Sequence, residues 1–500
     1  MARTITLKTR HGESVAFDDT IVGSGAMKDV YFTPDRSYVI GFFREHQSPA
    51  ARERLRVICE DYREGIFSQI GGAYWRDLFC WPTGVVEYEG RVGVVVPAYA
   101  PHFFFTHGSA NNDMLGIKGR EKEGKWFASA NNQARFLDPR ERGHWLNYLR
   151  ICIRIARAVR RLHAAGLAHS DLSYKNVLVD PCTGNACIID LDGLVVPGKY
   201  PPEVVGTPDF IAPEVVMTAH LPRDSADRRL PCIATDRHAL AVLIYMYLLY
   251  RHPLRGGKVH DPDPIRDETL SMGERALFVE HAKDLSNRIR VADARPTELP
   301  WVDTERMPYT LTGPYLTPLF ERAFTAGLRD PGSRPSAEDW EFALVRTADL
   351  IQPCANRDCP QGWFVFDNRR APHCPFCGTP YPGPLPVLNF YSSRQGDSFR
   401  PDDQRLLVYT NQSLFEWHVN RHVTPNERLT EAQKTRVGYF VFHHGAWWFV
   451  NERLPHCRDL SAGREIAVGE RVALRDGLQL LLSREAGGRL ALVQLAGTMP

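Results

Sequence analysis

Three residues of this chain have the types and spacing to do chemistry. Asp171 lies in the run His169-Ser170-Asp171-Leu172-Ser173-Tyr174-Lys175-Asn176, Asn176 follows five residues on, and Asp190 opens Asp190-Leu191-Asp192-Gly193 after a short apolar stretch. Moving a phosphoryl group asks little covalent work of a protein. It asks for an oriented hydroxyl, a group to take its proton, and hard oxygen ligands that hold Mg2+ on the nucleotide phosphates. In that chemistry Asp171 orients the accepting hydroxyl and takes its proton, while Asn176 and Asp190 supply oxygens to Mg2+. Asp and Asn in a loop are more often turn formers than ligands, so the reading depends on what flanks them.

The flanks supply rigid supports. Residues 156–167 carry apolar side chains at helical spacing, and residues 177–179 and 187–189 read as short buried strands. The pattern is helix, loop, strand, turn, strand, with the polar residues in the loops. Near the N-terminus, Ile21-Val22-Gly23-Ser24-Gly25-Ala26-Met27-Lys28-Asp29-Val30-Tyr31 joins two strand-like runs, and Gly23 and Gly25 allow backbone N–H groups to approach phosphates. A further strand is expected over residues 38–44 and an amphipathic helix over residues 51–67.

Further motifs follow in order, and together they resemble the eukaryotic-type Ser/Thr protein kinases. Arg161-Leu162-His163 through Asn176 resembles their catalytic loop, and Asp190-Leu191-Asp192 stands for their Asp-Phe-Gly. Gly206-Thr207-Pro208-Asp209-Phe210-Ile211-Ala212-Pro213-Glu214 resembles the end of their activation segment. Asp236 resembles the Asp of their central buried helix, and Arg334 the Arg that ion-pairs with the Glu of Ala-Pro-Glu, here Glu214. The resemblance implies a bilobal kinase fold, a small lobe over about 1–98 and a large lobe over about 99–350. It implies ATP and Mg2+, with Pro97 and Tyr99 at the nucleotide hinge and Thr207 touching the catalytic Asp171.

The nucleotide loop departs from that pattern. Lys28 stands at the third glycine position, and Gly41 stands where kinases carry the strand lysine that pairs with the phosphates. A lysine on the glycine-rich strand can put its ammonium over the same phosphates from the opposite side, as in the similar with-no-lysine kinases. Lys28 is the expected phosphate lysine and Arg44 the alternative, although a planar guanidinium replaces a point charge poorly. Glu60 or Glu64 is expected to hold the lysine, Glu60 by its distance from Gly41. Two other departures bear on regulation and rate. Ser170 replaces the Arg that reads an activation-loop phosphate, and residues 190–214 offer only Tyr200 and Thr207 as hydroxyls, so activation-loop phosphorylation is not expected to switch the enzyme. Ser173 stands where the family has a lysine that touches the γ-phosphate, with Lys175 displaced by two.

Five hundred residues exceed one core. With 61 basic and 59 acidic residues the net charge is +2, so bulk charge argues for neither nucleic acid nor a membrane surface. The longest apolar run, residues 239–250, suits a buried helix and is too short to span a bilayer, and residues 1–10 lack the apolar core of a signal peptide. Eleven cysteines in such a chain imply a reducing, cytoplasmic setting. Four of them form two close pairs, Cys354-x4-Cys359 and Cys374-Pro375-Phe376-Cys377, the signature of a zinc ribbon with a closed, structural four-thiolate site.

The expected architecture is multidomain α+β: a bilobal protein-kinase fold over 1–350, a four-Cys zinc ribbon over 351–380, a stiff Pro-rich linker over 381–387 and a small all-β sandwich over 388–500. Residues 439–483 resemble the second half of a forkhead-associated domain, but the phosphothreonine-gripping elements have no clean match among Ser413, His418 and Asn451. Two insertions are expected, 103–143 as a surface loop or lid near the hinge and 255–314 as a polar, Pro-containing segment, either able to dock a partner. The whole layout is similar to bacterial kinases associated with tellurite-resistance-type operons. That likeness implies a von Willebrand factor A-type protein as substrate and a metal-dependent protein phosphatase as antagonist. Two other readings remain: a nucleotide-binding pseudokinase scaffold, and a small-molecule phosphotransferase of the choline or aminoglycoside kinase type, which lacks the Gly206–Glu214 segment.

Overall fold

The computed structural model describes residues 3–9, 12–25, 27–196, 198–202, 206–222, 224–367, 371–395 and 398–497. The chain forms two compact units, one of residues 1–143, 147–309 and 318–341, the other of residues 144–146, 310–317 and 342–500. Among the described residues no helix is long and apolar enough to cross a membrane.

The first unit begins with the hairpin Thr4–Lys8 and Ser14–Asp18, followed by a five-stranded antiparallel sheet. Its spatial order is Ile21–Ser24, Lys28–Phe32, Tyr38–Phe43, Arg91–Pro97, Gly84–Tyr88. Successive side chains of a strand point to opposite faces. Accordingly Phe42 joins Phe17, Ile40, Val86 and Val95 in one cluster, while Phe43 joins Leu55, Cys59, Val92 and Val94 in another. The second cluster draws on the helix Pro49–Val57, which starts at an N-cap where Ser48 Oγ accepts from the Ala51 N–H at 3.2 Å. That helix passes through a π-helical stretch, Ile58–Tyr62, into Arg63–Phe67.

The larger part of this unit is built on the helix Trp145–Ala164 and the all-round buried helix Ile233–Leu249. Gly166, at φ 75°, ends the first of these, and its N–H donates to the His163 carbonyl. The chain then crosses to Val177–Asp180 and Asn185–Ile188, a buried antiparallel pair. Asp236, 2 % exposed at the start of the central helix, accepts from the His169 N–H at 2.7 Å and lies 3.2 Å from His163 Nε2. Arg334 grips Glu214 in bidentate fashion at 2.8 and 2.6 Å and also donates to the Ala234 carbonyl. Removing one partner of a buried pair leaves the other uncompensated. Arg334→Ala is therefore expected to cost about 3–5 kcal/mol, read as a lowered midpoint in denaturant unfolding; a change below about 1 kcal/mol would show the pair to be idle.

Each insertion has a packed portion, so 103–143 is more than the surface loop that the sequence suggested. In 103–143, Phe105 stacks on Phe127 with ring centroids 5.9 Å apart, and Lys122 is enclosed between Asp180 at 2.9 Å and Glu141 at 3.2 Å. A lysine so buried needs its carboxylates, and this cluster ties the insertion to strand Val177–Asp180. In 255–314, Glu280 takes Arg251 and the Tyr245 hydroxyl, both at 2.5 Å, fastening that segment to the central helix. Sequence patterning missed both because each is held by a few buried polar groups rather than by an apolar stripe.

The second unit contains the short pair Ile351–Pro353 and Trp363–Val365 and two larger sheets, six strands in the order 398–407, 385–395, 489–496, 479–481, 458–459, 464–465 and four in the order 413–414, 438–443, 446–451, 471–473. Their inner faces share one core that includes Leu388, Phe390, Leu406, Phe440, Phe449, Val472, Leu480 and Val493, which makes a sandwich. Residues 385–387, expected as linker, open the strand Leu385–Gln395 instead. Leu385 and Val387 are fully buried in a cluster with Cys359, Cys374, Phe364 and Phe366, so the four-Cys segment and the sandwich share a core. Asn451 is fully buried and uses its amide inside the fold, donating to the Leu454 and Ile466 carbonyls and accepting from the Leu454 N–H. His418 is likewise interior, 3.1 Å from Asp349.

Candidate active site

A cleft of about 340 Å3 in the first unit is lined by Val22, Gly23, Val30, Val39, Val94 and Val96 from the sheet, by Pro97 and Tyr99 at its rear, and by Lys28, Asp190 and Asp192 at its charged end. The apolar walls suit a flat aromatic base, and the charged end suits phosphates and a cation. Gly23 faces Val30 across a bulge in the pairing of Ile21–Ser24 with Lys28–Phe32, and the Gly25 N–H closes the hairpin on the Lys28 carbonyl at 3.0 Å. Phe104 and Glu121, bridged to one another in the first insertion, complete the mouth. Glu121 was not foreseen from the sequence, where nothing distinguishes it from other polar residues of that segment.

Lys28 reaches this cleft by crossing Gly41. A Cβ built on Gly41 would stand 3.3 Å from Lys28 Cδ, so the missing side chain at 41 is the room the lysine stem occupies. Its Nζ lies 2.7 and 2.9 Å from the two oxygens of Asp192 and 3.3 Å from Asp190 Oδ1, with the Phe43 ring centroid 5.3 Å away. Burial alone would lower the pKa of this ammonium, but the two carboxylates outweigh it and hold the group charged. Arg44 is directed elsewhere, Nε donating to Asp29 Oδ1 at 3.0 Å.

Glu60 is not brought to Lys28, contrary to expectation. It accepts from Arg56 at 3.1 Å, one turn back on its own helix. Distance along the sequence from Gly41 does not fix which face of the helix meets the cleft, and Glu60 lies within the π-helical stretch Ile58–Tyr62. The buried face there carries Leu55, Ile58, Cys59 and Ile66. The carboxylate that does meet the lysine is Asp192, 6 % exposed. A signal for it existed in the sequence, an acidic residue at the glycine position of the Asp-Phe-Gly-like motif.

The catalytic loop is tightly knit. Asn176 Nδ2 donates to the Asp171 carbonyl at 2.8 Å and to Asp171 Oδ2 at 2.9 Å, while the Thr207 N–H and Oγ1 donate to Asp171 Oδ1 at 2.7 and 2.9 Å. Each oxygen of Asp171 is thereby fixed. Ser173 is fully buried and its Oγ lies 3.2 Å from Thr207 Oγ1, so it supports the loop rather than pointing at a phosphate. Lys175 is exposed. Asp190 has left-handed backbone, φ 60°, and a half-exposed carboxylate at the cleft. Because Asn176 commits its N–H groups to Asp171, the amide oxygen is what it has left for a cation, and with the Asp190 carboxylate it forms the hard-oxygen donor set that suits Mg2+.

In the second unit the sulfurs of Cys354, Cys359, Cys374 and Cys377 all lie within 4.8 Å of one another, with Cys354 to Cys377 at 3.5 Å and Cys359 to Cys374 at 3.9 Å. A tetrahedral zinc with Zn–S bonds of about 2.3 Å spaces its sulfurs about 3.8 Å apart, close to the two distances here, so the four thiols suit that ion. Burial raises the thiols of Cys354 and Cys374, whereas at Cys377 hydrogen bonds with Thr379 and the neighbouring cysteines outweigh burial and bring the pKa down to about 6.

Comparison with known proteins adds family evidence for part of the chain. Residues 133–291 match the protein kinase domain. The chain is 32% identical over 166 residues to the death-associated protein kinase dapk-1 of Caenorhabditis elegans, covering 29% of this chain and 10% of that protein. It is 29% identical over 145 residues to the serine/threonine-protein kinase PknD of Chlamydia abortus, covering 24% of this chain and 14% of that protein. The chain thus spans a small fraction of the length of these relatives. Such a domain implies ATP, Mg2+ and protein substrates. Residues 133–291, which match the protein kinase domain, hold Asp171, Asn176 and Asp190.

Proposed function

We propose that the chain is an Mg·ATP-dependent protein serine/threonine kinase whose phosphate-binding lysine is Lys28. The observation that carries this reading is the position of the Lys28 ammonium, 3.3 Å from Asp190 in the cleft, reached through the space left by Gly41. Mg2+, when bound, neutralises and orients the nucleotide phosphates. Asn176 and Asp190 hold it, and Lys28 offers a fixed positive charge where negative charge is handled. Asp171, immobilised by Asn176 and Thr207, orients the acceptor hydroxyl and receives its proton. A scaffold that only binds nucleotide has no need of an Asp171 held on both oxygens, and this favours a kinase over the pseudokinase alternative.

The zinc ribbon and sandwich are proposed to target the kinase. Asn451 and His418 are used inside the sandwich, which favours a forkhead-associated-like fold that docks a partner over one that reads phosphothreonine. The likeness of layout extends the proposal to a cytoplasmic stress or metal-resistance signalling system, with a von Willebrand factor A-type substrate and a metal-dependent phosphatase as antagonist.

The test is Mg·ATP-dependent autophosphorylation and transfer to a generic Ser/Thr protein substrate, using protein shown by mass spectrometry to carry no phosphate on Tyr200 or Thr207. Full activity is expected, since Thr207 is already committed to Asp171. Strict dependence on phosphorylation there would refute the unregulated-loop reading. Nucleotide binding with no transfer, even to the protein's own partner, would make it a scaffold.

A further inference from the structure

Protein kinases hold their phosphate lysine with a glutamate from the helix that follows the lysine strand. Here that helix segment does not supply the carboxylate. Glu60 is engaged by Arg56, and Cys59, 1 % exposed, is the neighbour close enough for the Asp192 charge to raise its thiol pKa, with burial the larger cause. Asp192 instead presents both oxygens to Lys28 at 2.7 and 2.9 Å from a side chain only 8 % exposed.

We infer that Asp192 is the positioning residue for Lys28, standing in for the helix glutamate. The inference rests on the reading of Lys28 as the phosphate lysine. A lysine ammonium has three donors. Two meet Asp192, and the third is directed at Asp190, whose half-exposed carboxylate is the group a metal ion would claim. With Asp190 taken up as a metal ligand, that donor would be free for the phosphates, while the buried Asp192 would keep the ammonium in place. The lysine anchor and the metal ligand then sit two residues apart on one segment, and the helix Pro49–Phe67 is left out of the arrangement.

The experiment measures kcat, the KM for ATP and the melting temperature of wild type, Lys28→Ala, Asp192→Asn, Asp192→Glu, Glu60→Gln and the double variant Lys28→Ala/Asp192→Asn. Misplacing a charge by about 1 Å costs up to about 100-fold in rate. Asp192→Asn is therefore expected to lower kcat about 10- to 100-fold with a smaller change in KM, and Asp192→Glu to recover part of it. On the Lys28→Ala background Asp192→Asn should cost nothing more, because a residue acting through Lys28 has no effect once Lys28 is gone. If Asp192→Asn melts far below wild type, Asp192→Glu takes its place: it should alter kcat with Lys28 present and leave it unaltered without. Additive losses, or a Glu60→Gln loss as large as that of Asp192→Asn, would overturn the assignment while leaving Lys28 in its role. Wild-type kinetics in Lys28→Ala would instead sink the relocated lysine, and the assignment with it.

Discussion

Phosphoryl transfer should fall about 100- to 10,000-fold in Asp171→Asn, the range in which a positioned proton acceptor contributes. In Lys28→Ala it should fall about 100- to 1,000-fold, as when one preorganised electrostatic contact is deleted. The two losses differ in kind. Asp171→Asn is nearly isosteric and removes the proton acceptor, although one carboxylate oxygen becomes an NH2 that no longer accepts from Asn176 or Thr207, so nucleotide affinity should survive while transfer does not. Lys28→Ala leaves Asp192 buried without its cation, so it should weaken nucleotide binding or folding as well as the rate. Arg44→Ala is the control that separates lysine from arginine at the phosphates. Arg44 ties Asp29 outside the cleft, and its removal should change the rate less than three-fold. Initial rates with a Ser/Thr protein substrate, with nucleotide affinity by calorimetry, check all three. A fully active Lys28→Ala, or an inactive Arg44→Ala, would reject the arrangement.

The second large effect is expected in the other unit. One equivalent of zinc should accompany the purified chain, and Cys374→Ser or a strong chelator should unfold the region around it. Structural zinc sites carry on the order of 10 kcal/mol of folding free energy, and two of the four ligands, Cys359 and Cys374, are themselves part of an apolar core with Leu385, Val387 and Leu407. Metal loss should therefore speed hydrogen exchange in the strand Leu385–Gln395 as well as in the ribbon. Zinc well below one equivalent by elemental analysis, or unchanged exchange in that strand after chelation, would contradict this. Cys377→Ser should behave similarly but more mildly, because its side chain lies at the exposed edge of the cluster.

What the sequence revealed and what it hid divide along physical lines. Groups set by short-range spacing were legible: Asp171 with Asn176, the apolar run that became the buried helix Ile233–Leu249, and the two cysteine pairs that close on one another. The link between Glu214 and Arg334, 120 residues apart, was reachable only through family resemblance. Lys28 was read by its motif position, and the contact with Gly41 gives that reading a steric basis. Its partner was misjudged because the distance of Glu60 from Gly41 along the sequence does not say which way its side chain turns, and it turns to Arg56. The proline-rich 381–387 was mistaken for a linker because proline composition outweighs two isolated apolar residues in a linear reading, yet Leu385 and Val387 are fully buried. Insertion packing escaped for a similar reason: Lys122, Glu141 and Asp180 look like solvated charges until the fold encloses them.

The placement of Lys28 also bears on the order of events in turnover. In the usual arrangement the phosphate-pairing charge stands on a stationary strand and the glycine hairpin moves over it. Here the hairpin that roofs the cleft begins the strand that carries the charge, with the Gly25 N–H bonded to the Lys28 carbonyl. On the proposed role of Lys28, lifting that roof would have to break the ion pair with Asp192, so access to the cleft and the position of the cation would be coupled. Opening the cleft for product and displacing the charge that faces it would then be a single movement.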